Sequence, residues 1–170
     1  MKKLLLISLC ALGLSLCGCG GGGSNSFVGA GNITVHASPD EIDTGDRTKI
    51  IIEFDEAHPD GVSIKIRYSK GLSYIADTSI LTLKGKEIGV SPFVEVDANI
   101  AQSLYLVYFF GRDILGDINS GKLEFELRGV DQTDKNSEIE VDIDVLEDSP
   151  SFSADTPEFS AEDSNKLRVK

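Results

Sequence analysis

Tryptophan is absent from the 170 residues, histidine occurs twice and cysteine three times, with no cysteine beyond position 19. Without Trp the chain has no indole platform for stacking against polysaccharide. His36 and His58 are the only imidazoles, no Gly-x-Ser-x-Gly elbow occurs, and neither histidine has neighbours that would orient it for nucleophilic catalysis. Basic residues are the scarcer charge: 16 Lys+Arg against 28 Asp+Glu give a net charge of −12. That balance argues against nucleic acid as a partner, because binding a phosphate backbone requires clustered cations. The apolar run Leu4 to Leu16, about 13 residues, falls short of the roughly 20 that a membrane-spanning helix needs. What remains is ordinary for one globular domain, with 41% hydrophobic and 26% charged residues.

The short apolar run follows Met1-Lys2-Lys3, a positive start, and the two together read as a secretory signal. The segment Leu16-Cys17-Gly18-Cys19 resembles the bacterial lipobox, in which an aliphatic residue and two small residues precede a cysteine that is lipidated and becomes the new N-terminus. Leu16 stands where the motif wants a small residue if Cys17 is taken, so Cys19 is the expected lipidation site. The resemblance implies a chain of three parts before any tail: a signal peptide over 1–18, a lipidated Cys19 with a Gly-rich tether over 19–31, and a domain from residue 32. Gly20 to Gly23 carry no side chains to bury and suit a flexible spacer. Acyl chains hold a protein to a bilayer at about 0.8 kcal/mol per buried methylene. Because Gly20 follows Cys19 in place of the Asp that marks inner-membrane retention, the resemblance implies the outer membrane in a Gram-negative cell. Cys10 and Cys17 leave with the signal, so no disulfide or thiol chemistry is expected in the domain.

From Asn32 to Val145 the dominant periodicity is two. Val62 to Tyr68 alternates without a miss, as do Lys122 to Arg128 and Ile139 to Val145, and each predicts a strand with one wet face. Lys49 to Phe54 and Leu104 to Phe110 are more continuously apolar and predict central strands, and Asn32 to Ala37, Ile80 to Leu83 and Phe93 to Val96 are shorter candidates. Turn residues separate the runs at His58-Pro59-Asp60-Gly61, Lys84-Gly85, Asn119-Ser120-Gly121 and Asp131 to Ser137. The pattern predicts an all-β fold: an antiparallel, immunoglobulin-like β-sandwich of about 7–9 strands over 32–146. A jelly roll or small barrel shares the same local pattern. Residues 147–170, with scattered Ser, Asp and Glu, read as an acidic disordered tail, the competing reading being that Phe152 or Phe159 tucks against the sandwich as a final edge strand.

The order Gly45-Asp46, Ile50 to Phe54, Val62 to Tyr68, Gly71-Leu72-Ser73-Tyr74-Ile75, and later Leu106 to Phe110 followed by Gly121 to Leu127, resembles cohesin-type modules and related Ig-like repeats of bacterial surface proteins. The resemblance implies a non-catalytic, protein-binding or scaffolding module of the cell envelope. Its partners are then a membrane, through the lipid, and an envelope protein or polysaccharide. The alternatives are a carbohydrate-binding or Ca²⁺-stabilised adhesion module and, third, a hydrolase with paired carboxylates in a concave cleft.

Three sets of side chains are candidates for a site. Tyr68 and Tyr74 offer an apolar body with a polar handle, and Lys65 and Arg67 form a local basic group on the expected wet face of one strand. Asp113, Asp117 and Asn119, spaced i, i+4, i+6 with two glycines, are the best calcium candidate, although no acidic cluster shows the Asp-x-Asp-x-Asp-Gly loop with its distal Glu. Asp, Asn and Gly are also the favoured turn residues, so these positions equally read as solvated turns with no cofactor at all.

Overall fold

The computed structural model describes residues 29–98, 103–146 and 158–170. The signal segment, Cys19, most of the tether and Phe152 lie outside the described residues. Among the described residues the secondary structure is β throughout except for one four-residue helix, α1 (Arg112–Leu115).

The alternating runs become the strands they predict. The first sheet runs in the order β1 (Asn32–Ser38), β3 (Arg47–Asp55), β10 (Gly121–Gly129), β6 (Ile80–Leu83), β7 (Lys86–Gly89), with β5 (Leu72–Tyr74) also paired to β10. The second runs β12 (Asp163–Lys166), β11 (Glu138–Val145), β4 (Gly61–Ser69), β9 (Ser103–Gly111), β8 (Val94–Ala98). Every pairing within these two sheets is antiparallel. The sandwich therefore stands, with eleven strands in its two sheets where 7–9 were expected and eight runs were named. The additional ones, β5, β7 and β12, span only three or four residues, too few to show a period.

The two inner faces supply the core. Ile50, Ile52, Leu123 and Phe125 of the first sheet belong to one fully buried cluster with Ile64, Ile66, Leu106 and Tyr108 of the second. Alternation thus turns Tyr108 and Phe110 inward and Tyr105, Val107 and Phe109 outward. Glycine is required at two of the bends. Lys84 and Gly85 both have positive φ, as a tight two-residue hairpin between β6 and β7 demands. Gly61 combines φ +109° with a position where a Cβ would sit 2.5 Å from the Phe110 carbonyl oxygen.

The C-terminal segment corrects the sequence reading. Over residues 158–170 the chain is not a disordered tail: β12 adds to the free edge of β11, and β13 (Arg168–Val169) pairs in parallel with β2 (Glu41–Ile42). Leu167 and Val169 are buried. The strand Asp-Ser-Asn-Lys forms despite its polarity because its alternate side chains do backbone work. The Asp163 carboxylate accepts from Val35 N–H at 2.8 Å and the Asn165 side-chain oxygen from Ala37 N–H at 3.2 Å. Val35 and Ala37 lie on β1, the edge of the opposite sheet, so β12 closes one open side of the sandwich by substituting carboxylate and amide oxygens for a strand ladder. Ahead of β1, Ala30 is buried and its carbonyl accepts from His58 N–H.

The topology gives the sandwich two distinct ends. One carries Asn32, Asp55, Gly61, α1, Gly121 and Val145. The other carries Ser38, Arg47, Ser69, Gly129, Glu138 and Lys166. Nine-residue strands such as β3 and β4 separate the ends by about 30 Å.

Candidate binding site at the distal end

The end remote from Asn32 holds a polar hollow of about 470 Å³, bounded by Arg67 to Gly71 at the close of β4, by Ser103, and by the loop from Asp131 to Glu138. Its wall is built on an ion pair. The Arg67 guanidinium donates to both Glu140 oxygens at 2.6 Å, a planar two-point contact across the β4–β11 register. That contact, opposed by burial, raises the Arg67 pKa and keeps the group cationic. Phe159, from the C-terminal segment, lies over the guanidinium with the cation 4.5 Å from the ring centre, and its edge meets Tyr105 at 5.7 Å. The facing loop is set by two local turns in which Asp131 accepts from Gln132 N–H and Asp134 from Asn136 N–H.

Beside this hollow, the outer face of β4 is not the wet face that its alternation predicts. Ser63 and Lys65 are buried, as is Asp142 opposite Lys65 on β11. Over Lys65 and Asp142 the reason is the stretch from Glu158 to Ser160, which crosses this face. Lys65 Nζ donates to the Glu158 carbonyl at 2.8 Å, to Asp142 at 3.3 Å and to Asp144, and Ser160 N–H donates to Asp142 at 3.1 Å. Burial pulls the lysine pKa down, but the hydrogen bond to Asp144 and the charges of Asp142 and Asp144 outweigh it, so the net direction is up. Asp142 is raised, first by burial and then by Asp144, against the Ser160 amide and Lys65. Glu162 is raised by burial and by the same two aspartates.

Of the residues singled out from the sequence, Arg67 lines the distal hollow, whereas Tyr68 borders it but belongs to the core cluster between the sheets with 1% of its surface exposed, because it shares the inner face of β4 with Ile64 and Ile66. Lys65 lies under the C-terminal segment. Tyr74 faces inward, with its hydroxyl 2.9 Å from Ser79 and its ring edge-on to Phe125 at 6.1 Å. Ser79 also bonds Tyr108, whose pKa is raised because the ring is buried. Asp113, Asp117 and Asn119 sit at the Asn32 end, on α1 and the loop that follows, and are exposed. Among the described residues no three His, Cys, Asp or Glu side chains gather within reach of one metal ion. Phe159 and the Asp131 to Ser137 loop were not chosen from the sequence as site residues. The loop reads as turn chemistry, and only the aromatic ring in a polar stretch signalled Phe159.

No protein-family model matches this chain, and no curated protein matches it in sequence. Its fold is similar to that of the T6 backbone pilin of serotype M6 Streptococcus pyogenes, at 12% identity and a TM-score of 0.55 over 82% of this chain and 36% of the pilin. It is similar also to the major pilin SpaA of Corynebacterium diphtheriae, at 12% identity and a TM-score of 0.53 over 79% of this chain and 36% of that one. The chain therefore spans little more than a third of either pilin, and at these identities the likeness is one of fold. A non-cellulosomal cohesin from Archaeoglobus fulgidus aligns over 82% of this chain and 91% of its own at 13% identity, but its TM-score of 0.38 is too low to bear on function.

Proposed function

We propose that this chain is a non-catalytic binding module of the cell envelope, held to a membrane by lipid at Cys19, that recognises a protein partner through its distal end. The observation that carries this reading is topological: the hollow formed by Arg67 to Gly71 and Asp131 to Glu138 lies at the opposite end of the sandwich from Asn32. A chain anchored before residue 32 would present that end outward, about 30 Å from the point of attachment. The fold supports the reading, since the two structures named above are pilins. A second reading, saccharide binding, is favoured by the hydroxyl and amide rim of Ser69, Gln132, Thr133, Asn136 and Ser137.

Cells expressing the full chain test both parts of the proposal. Fatty-acid labelling is expected to tag the wild type and not Cys19→Ala; a tag that persists in the variant contradicts the anchor. Gln132→Arg with Asn136→Arg, both on exposed rim positions, is expected to abolish capture of the partner from envelope extract, whereas Glu87→Arg on β7 leaves capture unchanged. Equal capture by all three contradicts recognition at the distal end, and loss of capture on adding soluble glycan favours the saccharide.

A further inference from the structure

A hollow of about 620 Å³, larger than the distal one, lies on the outer face of the first sheet near Asn32. That volume is in the range that holds a small molecule. One row of side chains crosses it. Thr34, Glu53, Lys122 and Thr82 are successive Cα partners across β1, β3, β10 and β6. All four point outward, because their chain neighbours Ile33, Phe54, Leu123 and Leu81 belong to the core. Asp55 and Lys84, each two residues further toward the end of the sandwich, also line the hollow.

Three groups here lack a partner. Lys122 Nζ bonds Glu124 on its own strand at 2.8 Å, and not Glu53 across the ladder. Among the described residues Glu53 is therefore left without an ion pair, as is Lys84 on the turn after β6. Asp55 has only the Asn32 amide, at 2.7 Å, and the second of the β3 acids adds to the negative side. Thr82 Oγ1 is shielded from solvent with no hydrogen-bond partner, a state that buried polar groups ordinarily avoid.

The unpaired charges are of opposite sign and stand apart. β10 separates β3 from β6, which puts the two backbones about 10 Å apart across the sheet. We propose that this hollow binds a small zwitterion of dipeptide size, its ammonium group on Glu53 and its carboxylate on Lys84. An extended dipeptide holds its terminal charges about 7 Å apart, and its peptide bond would pass over Thr82. A neutral saccharide leaves both charges unanswered, and an anion alone meets the carboxylates of Glu53 and Asp55. The site is separate from the distal hollow, which lies at the other end of the sandwich, and it stands or falls independently of recognition there.

The test is a titration of the ¹⁵N-labelled full chain with dialanine, followed by amide shifts. Dialanine is expected to move the amides of Glu53 and Lys84 saturably and to leave those of Gln132 and Asn136 in place. N-acetyl-dialanine, which lacks the ammonium group, and dialanine amide, which lacks the carboxylate, should each bind tenfold or more weakly. Glu53→Gln should erase the difference between dialanine and its acetylated form. Lys84→Asn, which suits the positive φ of that position, should erase the difference between dialanine and its amide. Both positions are exposed, so neither change touches the core. Equal binding of the three compounds, or no saturable shift at Glu53 and Lys84, overturns the proposal.

Discussion

Leu167→Ala is expected to lower the free energy of unfolding by about 2–5 kcal/mol, the range for truncating a buried leucine. The side chain is fully buried although it lies within four residues of the last described position, between two strands that pair with different partners. Its backbone amide donates to the Ser137 carbonyl, which holds it in place independently of the side chain. Urea unfolding followed by circular dichroism is the measurement, with the midpoint falling and the slope unchanged. A disordered tail, as composition alone predicts, would give no shift.

Lys65→Ala has a comparable effect for an electrostatic reason. The ammonium group sits on an outer sheet face that would be wet but for the C-terminal segment crossing it, and it answers two carboxylates and one carbonyl. Removing it leaves Asp142 buried without its cation, and breaking such a pair costs about 3–5 kcal/mol. Lys65→Arg keeps the charge and should retain most of the stability. The loss in Lys65→Ala is pH-dependent, and its sign follows from Asp142. The folded-state pKa of that carboxyl already lies above its ordinary value, chiefly through burial. The folded chain therefore takes up this proton before the unfolded chain does. Stability gained from the proton is present at low pH and lost as pH rises through the raised value. Thermal unfolding should thus show the gap between variant and wild type narrowing as pH is lowered from 7 toward the carboxylate range. A gap independent of pH would mean that the lysine acts through its aliphatic stem alone.

The strands that alternate over seven or more residues were legible because a half-buried sheet imposes a period of two on its sequence. β4, β10 and β11 lie within a residue or two of where that period places them. The C-terminal strands escaped for a physical reason. β12 is held by the backbone ladder and by polar side chains that cap another strand's amides, and neither leaves a hydrophobic trace. The burial of Lys65 was equally invisible, since Ser-x-Lys-x-Arg on alternate positions looks the same whether it faces water or a covering segment. The site was half legible. Arg67 stood out by charge and lines the hollow, whereas Tyr68 stood out by aromatic character and is spent on the core. Tyr74 stood out for the same reason, but it spends its hydroxyl on Ser79 inside the fold. The Asp131 to Ser137 loop could not be told from any other turn until the end of β4 was placed beside it.

That the C-terminal segment is part of the sandwich, sealing its open side and covering its charged face, is tested most directly at two amides. In an antiparallel pair alternate residues turn their N–H toward the partner strand, and those of Val35 and Ala37 turn away from β3 toward Asp163 and Asn165. Hydrogen exchange of the wild-type chain, read residue by residue, is expected to find both amides protected to the level of the central strands. Exchange of Val35 and Ala37 at the rate of an unstructured peptide, with β3 still protected, would show an open edge and contradict it.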